Sequence, residues 1–344
     1  MEILNTKFLS NVASYGGALC VEEENNLNLF INNSSFLYNT GEYDGGSIYI
    51  SEKDINKKYN IIKENIFSFS LSNSSFDSNM SRRNGGAIYM NHSYMNKGII
   101  ENCTFSNNIS KNIGGAYYIP YNIIKKKPKE NNNTYINNSA YSYGDNYGSN
   151  PAYIKVANEY NHDINSGSYI QLILKLYDEF DQFAHDTNFF FTDIFIEASL
   201  YDKNISKEEE GYEIIGNTGR FSKGICQINQ LKIYSNTTGS CVLQISAKSN
   251  DIMKTSLIHE NYILIDINII PCNRDQLKMN LSNNNGFYCE APKCNDCNYD
   301  NAICVAGYDN PNNDPRKNKC ICIKGYEGSN CLEKILYENQ YVDN

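Results

Sequence analysis

The stretch Phe76-Asp77-Ser78-Asn79, closed by Gly85-Gly86-Ala87-Ile88-Tyr89, decides the reading of this chain because it recurs. The same order of aromatic, Asn, paired Gly and apolar run appears as Phe8…Asn11…Gly16-Gly17-Ala18-Leu19 and as Phe36…Asn39…Gly45-Gly46-Ser47-Ile48-Tyr49. It returns as Phe105…Asn108…Gly114-Gly115-Ala116-Tyr117-Tyr118, and a decayed copy runs Tyr135…Asn138…Gly144-Asp145. The aromatic positions step by 28, 40, 29 and 30 residues. A fixed period of this size marks a repeat architecture.

Each unit carries short apolar or β-branched runs, such as Ile48 to Ile50 and Ile88 to Met90, separated by Asn, Ser and Gly clusters. No helical period spans them, so they read as strands and turns. A unit of this length, with three short strands, suits one coil of a parallel β-helix. Coils stack about 4.8 Å apart, so five make a prism roughly 24 Å tall. Phe8, Phe36, Phe76, Phe105 and Tyr135 then form an aromatic column, and Leu19, Ile48, Ile88 and Tyr117 an apolar one. Asn11, Asn39, Asn79, Asn108 and Asn138 form an amide ladder at a corner. The Gly pairs permit a tight corner with positive φ. The long step is explained by a charged insertion near Glu52 to Ile62.

The Asn-x-Thr/Ser-Phe-x-x-Asn…Gly-Gly-Ala-Ile-Tyr pattern resembles the repeats of polymorphic outer-membrane and autotransporter-type surface proteins. The resemblance covers residues 1–150 and implies a pectin-lyase-like right-handed β-helix. Similar repeats are common in large surface proteins of protists and anaerobic fungi. It implies architecture more strongly than activity.

The chain has 344 residues, enough for two or three domains. A net charge of −9 argues against a nucleic-acid partner, since phosphate binding wants a basic face. Eight of the twelve Cys follow Pro271, which points to an oxidising, extracellular compartment. Met1 is followed almost at once by Phe8, leaving no room for a signal peptide or for a cap over the first coil, and no apolar run of membrane-spanning length follows. The expectation is a piece of a longer surface glycoprotein, its membrane contact made only through a missing segment. Sequons at Asn32, Asn33, Asn73, Asn79, Asn91, Asn102, Asn108, Asn132, Asn137, Asn204, Asn236 and Asn280 agree with secretion, although several fall on ladder positions. Cys20 and Cys103 read as buried thiols. Lys125-Lys126-Lys127-Pro128-Lys129 reads as a solvated loop.

The repeat fades near Pro151, and the β-helix is expected over residues 1–155. From 156 to 271 several longer strands follow one another, as in a β-sandwich. Ser166-Gly167 leading to Leu176-Tyr177-Asp178, with Gly219-Arg220-Phe221 later, resembles the immunoglobulin-like modules that follow such β-helices. Cys226 and Cys241 are expected to bridge neighbouring strands, worth about 3 kcal/mol. Asp178, Glu179, Asp181 and Asp186 beside His185 lack the spacing of a calcium loop and read as a solvated turn.

Residues 272–292 read as a linker closed by a Cys272–Cys289 bridge, and 333–344 as a tail. Between them, Cys320-Ile321-Cys322-Ile323-Lys324-Gly325-Tyr326-Glu327-Gly328-Ser329-Asn330-Cys331 resembles the signature of an EGF-like module over residues 293–332. Six Cys alone allow fifteen connectivities. The resemblance implies Cys294–Cys304, Cys297–Cys320 and Cys322–Cys331. Zinc is disfavoured because Cys304 and Cys331 would be orphaned. Calcium is disfavoured because Glu290-Ala291-Pro292-Lys293 lacks the acidic and amide ligands of calcium-binding variants.

No carboxylate pair recurs on one predicted face, and no His falls in a nucleophile motif. The expected role is therefore non-catalytic, with no cofactor and no metal: adhesion, or recognition of an unknown protein or carbohydrate ligand. Tyr49, Tyr89 and Tyr118 occupy equivalent places in successive coils and offer a stripe on which sugars could stack, unless they pack inside the coil. The alternatives are the ectodomain of a transmembrane signalling receptor and, further off, a polysaccharide lyase or hydrolase.

Overall fold

The structure, a computed structural model, describes residues 1–23, 27–52, 67–92, 95–120, 127–201, 212–249, 261–281, 286–307 and 310–335. Most of the insertion expected after Glu52, the Lys125-Lys126 pair, the Asn204 sequon and most of the C-terminal tail lie outside these residues. Among the described residues the chain is almost entirely strand and turn, with one short 3-10 turn at Met95–Lys97.

Five coils stack into four parallel sheets, each taking one strand from every coil. Each coil therefore holds four strands where three were expected. In the third coil they are Phe67–Ser72, Ser75–Asp77, Met80–Ser81 and Ile88–Asn91. The added one is the two-residue strand after the Asn corner, too short to leave a period in the sequence.

Register is set by like side chains meeting between coils. Phe76 pairs with Phe36 on one side and Phe105 on the other. Their rings stack at 4.7 and 4.9 Å within the fully buried core. Phe8 and Tyr135 extend the column at its two ends. On the fourth face Leu19, Ile48, Ile88 and Tyr117 follow one another in register. At the corner between the second and third faces, each Asn after Asn11 accepts two hydrogen bonds from the Asn one coil nearer the N-terminus. Asn39 donates its backbone N–H and its Nδ2 to Asn79 Oδ1, both at 3.0 Å. Asn79 donates to Asn108 Oδ1 in the same way, and its Nδ2 also reaches Phe36 O.

The two glycines of each pair do different work. The first holds positive φ, +68° at Gly85, a region costly for other residues. The second lets neighbouring coils touch, since a Cβ on Gly86 would sit 2.0 Å from Gly115 O.

Pro151–Val156 already belongs to the next body, before the boundary expected at 155, because it pairs antiparallel with Tyr169–Asp178. That sheet continues through Ile225–Ser235, with Tyr212–Ile215, Phe287–Glu290 and Leu277–Asn280. The facing sheet runs Asp163–Asn165, Tyr262–Ile270, Gly239–Ser249, Ile194–Tyr201 and Thr218–Arg220. Alternate residues fill the space between them, including Leu172, Leu174 and Leu176 from one sheet and Ile196, Leu243, Ile245 and Ile267 from the other.

Residues 272–292 are not a linker. Their hairpin extends the first sheet and buries Phe287, and Cys272–Cys289 closes it with a Cα–Cα distance of 5.4 Å. The bridge expected between Cys226 and Cys241 is absent. Each lies near the start of a long strand, Ile225–Ser235 and Gly239–Ser249, in opposite sheets. Seven residues of strand offset separate them, about 23 Å, far beyond the reach of a disulfide. Cys226 is a buried thiol, pushed up to about 12 by desolvation. Cys103 is likewise buried, but Cys20 is exposed, because its side chain points outward from the fourth face.

The last module holds Cys294–Cys304, Cys297–Cys320 and Cys322–Cys331, with the hairpin Ala302–Val305 against Lys319–Cys322. Asn313 ties it to the sandwich end by donating to Glu290 Oε2 at 3.0 Å.

Candidate functional site

The fourth face carries its inner residues into the core, so the alternate positions must point out. Tyr49 and Tyr89 do so, half-buried, with rings stacked at 4.8 Å and nearly parallel. Tyr15 continues the stripe at 4.8 Å from Tyr49. Tyr118 does not belong to this open stripe, contrary to the sequence reading. It is 3 % exposed and joins the sandwich core cluster, and its hydroxyl donates to Asn150 Oδ1 at 2.5 Å. Tyr118 keeps the outward register of Tyr89, as the repeat predicts, but there the sandwich covers it.

Where the stripe runs under the sandwich, a cleft of about 340 Å³ opens. Its coil side presents Arg82, Arg83, Asn84 and Asn112 with the Tyr89 ring, and its sandwich side presents Asn188 and Phe190. Arg82 and Arg83 follow the third strand of the third coil and are exposed. Arg83 reaches Asp44 Oδ2 at 3.8 Å. Asp44 is buried; desolvation raises its carboxyl, while the Arg83 charge and hydrogen bonds from Asn84 oppose the rise.

A second polar ladder floors the cleft. Asp44 Oδ1 accepts from the Asn84 N–H and Nδ2 at 3.0 Å, and Asn84 Oδ1 accepts from Asn112 Nδ2 at 3.0 Å. Asn112 Oδ1 in turn accepts from Ser142 Oγ and from Asn188 Nδ2 across the junction. The sequence reading missed this ladder, although Asp44 and Asn84 each directly precede a Gly pair.

The loop bearing Asn188 and Phe190 is fixed on both sides. Asp186 Oδ2 accepts from the Phe191 N–H at 2.7 Å, and Thr187 Oγ1 donates to Tyr141 O of the fifth coil at 3.1 Å. Phe190 packs edge-on against buried Phe191 but is itself 49 % exposed. The cleft thus combines two guanidinium groups, several amides and two accessible rings on a rigid floor. Such a mix suits a polar ligand with apolar faces.

The acidic cluster is not a solvated turn throughout. Asp181 is exposed and pairs with Lys155 at 2.6 Å, but Asp178 is fully buried at the junction. Asp178 accepts from the N–H groups of Phe180, Gln182 and Ser149 and from Gln182 Nε2. The turn it holds lays Phe180 over Tyr147, 4.9 Å away, and so closes the open end of the coil core. Burial pushes the Asp178 carboxyl up to about 6 despite these donors. Between the ordinary 3.8 and about 6, the folded chain keeps a proton that the unfolded chain has lost. The stability it contributes is therefore full below 3.8 and lost as pH rises through about 6. Measured against Asp178→Asn, the wild type is expected to gain about 1.4 kcal/mol between about pH 7.5 and pH 5. Urea melts of both proteins at each pH check this, and a pH-independent difference would refute it.

Among the described residues no group of three or more His, Cys, Asp or Glu is arranged to hold a metal ion. Nor is any helix there long and apolar enough to cross a membrane.

Comparison with known proteins is consistent with the repeat reading over one coil. Residues 73–91, from the corner before Phe76 to the strand carrying Tyr89, match the family model of the Chlamydia polymorphic membrane protein repeat. No curated protein and no solved structure matches the chain.

Proposed function

We propose that this chain is the ligand-presenting part of a non-catalytic, adhesin-like protein of the cell surface or extracellular space. In this reading a right-handed β-helix is the platform, the sandwich is an immunoglobulin-like spacer, and the cystine-rich end is an EGF-like module. The repeat match and the four disulfides support an outward-facing location. The cleft at Tyr89, Arg82 and Arg83 is the recognition site. The observation that carries this is the convergence there of a stacked tyrosine stripe, two guanidinium groups and a fixed amide floor.

Carbohydrate fits that chemistry better than an apolar ligand: rings for sugar faces, amides for hydroxyls, guanidinium groups for an acidic substituent. The full chain is expected to bind members of an array of immobilised neutral and uronic-acid oligosaccharides. Tyr89→Ala and the Arg82→Ala/Arg83→Ala pair should each weaken that binding at least about tenfold, or 1.4 kcal/mol. Both variants should still fold, since Tyr89 is only half-buried and Arg82 and Arg83 are exposed. A melt of each separates lost binding from the stability lost with the Tyr89 stack and the Arg83–Asp44 pair. Binding that both variants retain in full would remove the cleft from the argument.

A further inference from the structure

The corner between the first and second faces carries a feature that the ligand reading does not use. Asn33, Asn73, Asn102 and Asn132 occupy the same place in four successive coils, with φ of 50°, 47°, 53° and 52°. All four are exposed. Each begins an Asn-x-Ser/Thr triplet, completed by Ser35, Ser75, Thr104 and Thr134. Those four hydroxyl residues are half-buried or exposed, and three of them line the same shallow groove as the first three Asn.

The middle residue of each triplet turns the other way. Ser34 Oγ accepts from the Thr6 N–H, Ser74 Oγ from the Ser34 N–H, and Asn133 Oδ1 from the Cys103 N–H. The inward residue therefore holds the coils together, which leaves the acceptor Asn and the hydroxyl residue two positions on at the surface. Asn33 Nδ2 donates to Asn5 Oδ1 at 2.6 Å and Asn73 Nδ2 to Asn32 Oδ1 at 2.9 Å, bonds on the exposed edge that water can replace. By contrast, the triplets at Asn79 and Asn108 lie on the buried ladder, where both amides are 0 % exposed and fully hydrogen-bonded.

We infer that this corner is an N-glycan acceptor edge. Its four sites are spaced by about 4.8 Å, one coil apart. The donor is an oligosaccharide on a lipid pyrophosphate. A bond forms between asparagine Nδ2 and the anomeric carbon, the bond from that carbon to the pyrophosphate oxygen breaks, and the amide gives up one proton as the lipid pyrophosphate leaves. The edge lies two corners away, in either direction round the coil, from the Gly-pair corner beside the cleft. Sugar would coat one side of the prism and leave the tyrosine side open.

The test is site-by-site occupancy in the full chain secreted from a eukaryotic cell behind an added signal sequence. Enzymatic deglycosylation in heavy-oxygen water marks each occupied Asn for peptide mass mapping. The peptides of Asn33, Asn73, Asn102 and Asn132 are expected to carry the mark, and those of Asn79 and Asn108 to lack it. Four unmarked corner peptides beside a marked Asn236 or Asn280, or in a chain with no mark at all, would overturn the inference and leave the corner purely structural. A mark on Asn79 or Asn108 in folded, secreted protein would overturn the burial argument. The variant Ser35→Ala/Ser75→Ala/Thr104→Ala/Thr134→Ala should lose all four marks; if it is not secreted, the wild-type map decides alone. The acceptor geometry is read independently of ligand binding, so failure here leaves the cleft reading standing.

Discussion

Replacing Asn79 by Ala is expected to cost about 4 kcal/mol, while the same change at Asn11 costs less than about 1 kcal/mol. The two residues hold equivalent places in the repeat, so composition and propensity predict equal costs. Their surroundings differ. Asn79 is 0 % exposed and sits between two coils. Its loss strands the Asn39 N–H and the Phe36 carbonyl in the dry interior, each a penalty of roughly 1–3 kcal/mol. Asn11 is exposed on the first coil and donates to Asn39 without accepting from a preceding Asn. Water replaces its partner at little cost. Urea unfolding of the two variants measures the contrast, and equal destabilisation would mean that the ladder does not hold the stack.

That contrast also shows what could be read from the residues alone. The aromatic column, the Asn ladder and the apolar column were all legible because stacking repeats like upon like, and a one-dimensional pattern then predicts a three-dimensional neighbour. The logic fails wherever the neighbour comes from outside the repeat. Tyr118 obeys the register and yet is buried, because Asn150 and the sandwich close over it. Cys226 and Cys241 look local in sequence, but the strand that follows Cys226 carries the chain away before it turns into the strand where Cys241 sits near the start. Asp178 looks like part of a solvated turn until Ser149 supplies a donor from the last coil.

The cleft itself was illegible for the same reason. Arg82 and Arg83 occupy positions that the repeat leaves free, since the equivalents in coils two, four and five are Glu42-Tyr43, Lys111-Asn112 and Tyr141-Ser142. That variation was the available signal. A scaffold made of repeats places its particular chemistry at positions that no coil shares with another, and here those of the third coil lie beside the junction with the sandwich, which walls them in. Asn188 and Phe190 complete the site only through the Thr187 and Asn188 hydrogen bonds to the fourth and fifth coils.

Reduction is expected to unfold the cystine-rich end while leaving the coils and the sandwich intact. The three bridges of that module close separations of 10, 23 and 9 residues. In the chain-entropy account each is worth roughly 2.5–3.5 kcal/mol, the longest the most. Little else holds the module. Its buried apolar residues among those described are Ala302, Cys304 and Cys331, while Ile303, Ile321 and Leu332 are 60 %, 53 % and 65 % exposed. A Cys297→Ser/Cys320→Ser variant should therefore lose the module's fold outright, since about 3 kcal/mol exceeds what so small a core can supply. Limited trypsin digestion reads this directly: cleavage after Arg316, Lys319 and Lys324 should become fast in the variant, and sites within the sandwich strands, such as Lys175 and Lys232, should stay protected. The Cys272–Cys289 bridge provides the internal contrast. It closes a hairpin already paired into the sandwich sheet, with Phe287 2 % exposed beneath it, so its reduction leaves that hairpin in place. A module that resists trypsin without Cys297–Cys320 would have to draw its stability from contacts to the sandwich such as Asn313 with Glu290, and the cystine framework would no longer explain why it folds.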